Sequence, residues 1–191
     1  MLKNIELLKN RRSYYEIDDN IDVPVEKIEE VLKEVLYYVP DAINMQSQRA
    51  ILAYGDYHKK LWDNIFDVFE GKVKREKLDS FKAGAGTILF FYDDEVVEEN
   101  RKKYENYAQH FESWALQSSG MAQINVWTSL RELGLGASLQ HYNPVIDQMV
   151  REMFDVPKDW ILLSQMVFGN ILEEPEKKDK IDINKRVKVF K

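Results

Sequence analysis

The sequence predicts an α+β fold with more helix than strand, and three observations lead to it. Apolar residues recur at spacings of three and four through Ile28, Val31, Leu32, Val35, Leu36 and Val39, as on one face of an amphipathic helix. Apolar runs of strand length, rich in aliphatic and aromatic residues, stand at residues 50–54, 87–92 and 160–168. Between the last two lies an uncharged stretch, residues 113–130, too long for a strand, which reads as a helix buried inside protein.

In chain order, residues 2–10 suit a short helix that ends at the turn Arg11-Arg12-Ser13. The amphipathic helix follows. Pro24 sits near its start, where a missing N–H matters little, and Glu26, Glu29 and Glu30 suit its positive N-terminal end. Pro40 stops it. Residues 50–54 form the first strand, and Leu61, Ile65, Val68 and Phe69 mark a helix before the strand at 87–92. Residues 95–133 read as helical in two or three pieces, with a break at Gly120. Gly134-Leu135-Gly136 closes that stretch, because glycine tolerates a left-handed cap. A short strand at 137–140, a helix at 144–154 and a buried strand at 160–168 bring the strands to three or four. One domain over residues 1–191 is expected, with a C-terminal extension from about residue 173, where a charged, Pro-containing run begins.

Composition narrows the function. The chain has 191 residues, enough for a core without covalent staples. Its 33 acidic and 27 basic residues give a net charge of −6, which argues against broad binding to nucleic acid. Cysteine is absent, which excludes disulfides, thiolate metal sites and a cysteine nucleophile, and fits a cytoplasmic location. His58, His110 and His141 share no metal-ligand spacing, so no metal site is expected. The N-terminus has no apolar core of a signal peptide. The uncharged stretch holds Gln117, Ser118, Ser119, Gln123, Asn125, Thr128 and Ser129, too many polar groups for hydrocarbon, so no membrane partner is expected.

Four segments could carry chemistry. Arg11-Arg12-Ser13 offers two guanidinium forks and a hydroxyl to a phosphate, or is a solvated helix cap. Asn44-Met45-Gln46-Ser47-Gln48-Arg49 offers amide donors and acceptors to the edge of a flavin pyrimidine or a ribityl chain, or satisfies its own loop backbone. Residues 134–144, from Gly134 through Leu139, Gln140 and His141 to Pro144, let a backbone approach a flat ligand closely, or simply connect helix to strand. They lack the spacing of a dinucleotide fingerprint. Lys185-Arg186-Val187-Lys188 is a basic segment whose default reading is a solvated tail.

Taken together, Arg-Arg-Ser near residue 12, Asn-x-Gln near 45, Leu-Gly-Leu-Gly near 135 and the basic C-terminal segment resemble the nitroreductase-like FMN-dependent family over nearly the whole chain. Residues 114–144, with Gln-Ser-Ser-Gly-Met and Leu-Gln-His-Tyr-Asn-Pro, are most similar to its short microbial members. The resemblance implies a small central sheet with surrounding helices and a long central helix through which two copies dimerise. FMN would lie between the subunits. Arg11, Arg12 and Ser13 would hold its phosphate and ribityl end, and Arg186 and Lys188, with Lys185 as the alternative register, would share the phosphate. Asn44 and Gln46 would reach the flavin of the neighbouring subunit. Leu139, Gln140 and His141 would pass the ring with their backbone. The implied activity moves hydride from NADH or NADPH through FMN to nitroaromatic, quinone or similar small acceptors, with the chemistry on flavin N5 rather than on a protein side chain. A flavin-binding sensor with little turnover is the alternative. One departure stands out: many members have Lys or Arg two residues after the serine, where this chain has Tyr15, and Arg49 is the substitute cation it offers.

Overall fold

The computed structural model describes residues 2–191, and among them it contains seven α-helices and a five-stranded antiparallel sheet. The first half runs α1 (Lys3–Asn10), β1 (Ile17–Asp18), α2 (Val25–Tyr38), β2 (Gln48–Tyr54), α3 (Asp56–Val68), α4 (Arg75–Lys82) and β3 (Gly86–Asp93). It continues with α5 (Asp94–Lys103), a 3₁₀ segment (Glu105–His110), α6 (Phe111–Glu132), β4 (Gly136–Gln140), α7 (Asp147–Phe154) and β5 (Trp160–Ile171). The expected α+β class is observed.

The apolar runs become strands because both faces of the sheet are covered. Every residue of β3 is buried. Successive side chains of a strand point to opposite faces. Leu89 and Phe91 therefore join Leu61, Trp62 and Ile65 of α3, Phe81 of α4 and Val150 of α7. Ile88 and Phe90 join Ile28 and Leu32 of α2 and Val126 and Leu130 of α6 on the other side. Each such apolar side chain contributes about 1.5–3 kcal/mol on full burial. Strand order is β1-β5-β3-β2, with β4 also paired to β5. Thus β5 is the spine of the sheet, with β3, β4 and β1 along it.

Several expectations need correction. Helix α6 runs unbroken through Gly120, which faces solvent with nothing within 4 Å of an added Cβ. The real interruption is the 3₁₀ segment at Glu105–His110. Sheet strands number five, because β1 is only two residues long and pairs with the far end of β5. Helix α4 was not foreseen, since Leu78 and Phe81 are its sole buried residues. Helix α7 starts at Asp147 because residues 144–146 form a turn instead. The uncharged stretch is buried on one side by its own chain: Ala115, Ala122, Val126 and Leu130 of α6 face the sheet. Its other side, with Leu116, Gly120, Met121 and Asn125, is exposed and carries no charge. Among the described residues no helix is long and apolar enough to cross a membrane.

Candidate functional site

The Arg-Arg-Ser turn is built where α1 ends. Arg11 leaves the helix with extended backbone, its N–H still donating to the Leu7 carbonyl at 2.8 Å. The chain then meets the first residues of β4. The Tyr14 N–H donates to the Ala137 carbonyl at 3.0 Å, and the Trp127 indole N–H of α6 donates to the same oxygen at 3.2 Å. Ser13 and Ala137 form a parallel bridge. Glycine is required beside this junction, because a Cβ on Gly136 would come within 2.8 Å of the Tyr14 side chain. One main-chain carbonyl thus ties together the turn, α6 and β4.

The Arg11 guanidinium lies 4.3 Å from the centroid of the Trp127 ring, a cation–π contact. Its Nε is buried and has no hydrogen-bond partner. Burial, and secondarily the neighbouring Arg12 charge, lower its pKa from the ordinary value, yet a guanidinium stays protonated near neutrality. A buried donor on a charged group without an acceptor carries an uncompensated desolvation cost. Beside it opens a cleft of about 530 Å³, with Arg11, Arg12, Ser13 and Tyr15 along one wall and Glu173–Glu176 along the other. Arg12 donates to the Glu176 backbone carbonyl, and the Tyr14 hydroxyl donates to Glu174 Oε2 at 3.1 Å.

The basic C-terminal segment lies elsewhere in this chain. Arg186 and Lys188 are exposed beyond the 3₁₀ turn Ile183–Lys185, and Lys178 and Lys180 are the C-terminal cations that line the cleft. On β4, Leu139 and Gln140 are half-buried, and His141, just past the strand's end, is exposed. At about 3.3 Å per residue, they follow Ala137 over a span of about 13 Å. The Gln140 amide donates to Ser138 Oγ at 3.0 Å.

The loop with Asn44 and Gln46 sits at the other end of α6. Asp41 organises it: one carboxylate oxygen accepts from the Ala42 N–H at 2.8 Å, the other from the Ser47 N–H and hydroxyl at 2.8 and 2.7 Å. The buried Met45 pins the loop against Tyr92, Phe111 and Ala115. Asn44 and Gln46, with φ of 54° and 53°, are held outward on either side of it. Gln48 donates to Ser118 of α6, whose hydroxyl donates to the Pro40 carbonyl at 2.6 Å. Ser118 and Trp127 are nine positions apart on α6, about 14 Å along its axis. The structure therefore brings Arg11, Arg12, Ser13 and β4 together, and holds Asn44 and Gln46 apart from them within one chain.

Arg49 is already engaged. It donates to Asp93 Oδ2 at 2.8 Å and to the carbonyls of Gln46 and Gln48, so its charge is offset. Sequence reasoning missed Tyr14, Trp127, Arg131 and Glu174 around the cleft. Trp127 and Arg131, four apart on one helix and so on one face, were the available signal.

Comparison with known proteins gives this geometry a family. The model of the nitroreductase family matches residues 8–170. Nitroreductase FRM2 of Saccharomyces cerevisiae is 32% identical over 189 residues, covering 97% of this chain and 96% of that protein. Nitroreductase CinD from Lactococcus lactis, solved in complex with chloramphenicol, superposes with a TM-score of 0.94 at 41% identity, over 99% of this chain and 100% of that one. A protein from Exiguobacterium sibiricum solved in complex with FMN shares the fold, with a TM-score of 0.77 at 15% identity over 100% of this chain and 98% of that one. The chain is a member of the nitroreductase family and has its α+β fold.

Proposed function

We propose that the chain is a cytoplasmic, FMN-dependent reductase, one domain over residues 1–191, that takes hydride from NADH or NADPH and passes it to nitroaromatic, quinone or similar acceptors. The observation that carries the reading is the cleft lined by Arg11, Arg12 and Ser13, beside which the Arg11 guanidinium keeps a buried Nε without an acceptor. Family membership and the CinD complex with chloramphenicol support it, as does the FMN complex of a protein with this fold.

Bound FMN would supply a hydride acceptor and donor at N5. The protein's part is to hold and shield it. Arg11 and Ser13 would take the phosphate, with Arg12 adding charge; Arg186 and Lys188 lie away from this cleft within one chain, so the partner's Arg186 and the partner's Lys188 would supply the C-terminal basic pair. The backbone of Leu139, Gln140 and His141 continues from the same junction and would run beside the ring.

Asn44 and Gln46 cannot serve that site from their own subunit, being at the far end of α6. We infer that the partner subunit's Asn44 and the partner's Gln46 complete it in a homodimer packed on the exposed, uncharged side of α6. Leu116→Glu should then separate the subunits while leaving each folded, and flavin should be lost with the dimer. Light scattering beside a flavin absorbance trace reads both; a monomeric wild type that holds flavin tightly would refute the shared site.

The cofactor test is direct. The purified protein should be yellow, and chromatography after denaturation should release FMN and not FAD. Steady-state oxidation of NADH and NADPH with 4-nitrophenol or a quinone then separates a reductase from a flavin sensor. Flavin binding without turnover would favour the sensor; no flavin at saturating supply would end both readings.

A further inference from the structure

A second arginine, behind the cleft lining, has a buried Nε with no partner, and it lies outside the Arg-Arg-Ser turn. Arg131, one helical turn beyond Trp127 on α6, sits over the Tyr14 ring at 5.6 Å from its centroid. Its Nη2 is 3.9 Å from Glu174 Oε1, beyond hydrogen-bond length, while the other oxygen of Glu174 accepts from Tyr14. Glu174 lines the cleft and Arg131 does not. Glu174 thus belongs both to the cleft lining and to the surroundings of a poorly satisfied guanidinium. The Glu174 side chain is 69% exposed, so this pair is screened and weak. A phosphate offers three acceptor oxygens and short charge-assisted bonds, which the present Arg131–Glu174 geometry lacks.

We propose that Glu174 is an internal latch on the anion site. In the resting chain it occupies Arg131; a phosphate entering beside Arg11 and Ser13 displaces the carboxylate, takes Arg131 as a further ligand and releases residues 173–176 outward. The proposal rests on the phosphate-binding reading of the cleft. It adds a ligand, Arg131, and an intramolecular competitor, Glu174, to the residues of that site.

The test titrates FMN by flavin fluorescence, and inorganic phosphate by calorimetry, into full-length apoprotein. Glu174→Gln should tighten both ligands about fivefold, the scale of one exposed ion pair. Arg131→Gln should weaken both by about tenfold, the scale of a lost bond to a charged group. The double variant should bind like Arg131→Gln alone. Glu176→Gln, which removes a neighbouring charge from the same cleft wall, should gain much less than fivefold. No gain in Glu174→Gln, an equal gain in Glu176→Gln, or a gain that survives in the double variant would overturn the latch. Arg131→Lys, which keeps the charge without the fork, replaces Arg131→Gln if melting curves show the latter misfolded. Phosphate binding with these effects but no FMN binding would remove the flavin reading and leave the latch. Absence of binding by either ligand would remove both.

Discussion

Polar side chains are handled differently at the two ends of α6. At its N-terminal end the loop from Asp41 to Arg49 satisfies its polar groups from within: both Asp41 oxygens accept, Ser118 bridges Gln48 to the Pro40 carbonyl, and Arg49 is paired with Asp93. At its C-terminal end Arg11 and Arg131 each keep a buried Nε without an acceptor. Closed networks of the first kind stabilise a fold, and open ones of the second kind leave donors with an uncompensated desolvation cost. The same residue type, arginine, is structural in one place and available in the other, and composition alone cannot separate the two.

Substitutions can break this contrast, and the largest effect lies outside both ends. Val126→Glu would put an unpaired carboxylate among Ile88, Phe90 and Met166, at a cost of about 4–5 kcal/mol, most of an ordinary stability margin. Thermal melting by circular dichroism should show an unfolded or barely folded protein; a normal melt would mean that α6 packs otherwise. A closed network away from α6 gives the next test. Buried His58 has Nδ1 at 2.9 Å from the Thr87 hydroxyl and Nε2 at 3.2 Å from the Lys82 carbonyl, and Trp62 donates to the same hydroxyl. Burial lowers its pKa from 6.5 to about 4. The unfolded chain therefore binds more protons in that window, and stability falls as pH drops from 6.5 towards 4, by roughly 3 kcal/mol at most. Urea titrations at several pH values should show the slope, and His58→Gln should flatten it.

The loop and the cleft then separate by readout. Asp41→Ala removes an acceptor of three bonds and should cost roughly 2–3 kcal/mol of unfolding free energy in urea. Arg11→Ala should leave stability nearly unchanged and weaken FMN binding by about 1.5–3 kcal/mol, measured by flavin fluorescence. If the two variants exchanged phenotypes, the division between closed and open ends would be wrong. The smallest effect is expected at Tyr15, which lines the cleft. Tyr15→Lys should raise the midpoint potential of bound flavin by about 20 mV, the equivalent of roughly 1 kcal/mol over two electrons.

How much of this was legible in the sequence depended on how each residue is used. Helix α2 announced itself through a regular apolar face, and β3 and β5 through runs that only doubly covered strands sustain. The short β1 carries no such pattern: Ile17 is its one buried residue, and its pairing with Ile171 is set by the end of a strand 154 positions away. Gly120 suggested a break because glycine weakens helices by about 1 kcal/mol, a deficit that the buried face of α6 outweighs. The Arg-Arg-Ser turn was readable as a local motif. Arg131 and Glu174 were not, because their meeting depends on where the C-terminal segment returns over the cleft.

The Ala137 carbonyl has a consequence for divergence. The turn and α6 are fastened to β4 through its main-chain oxygen, so position 137 can change its side chain, within the volume the core permits, without loosening the bonds. Backbone fasteners are invisible to mutation unless proline or an insertion disturbs them. A lineage can therefore rewrite much of the surrounding surface while inheriting the spacing between the Arg-Arg-Ser turn and the strand unaltered.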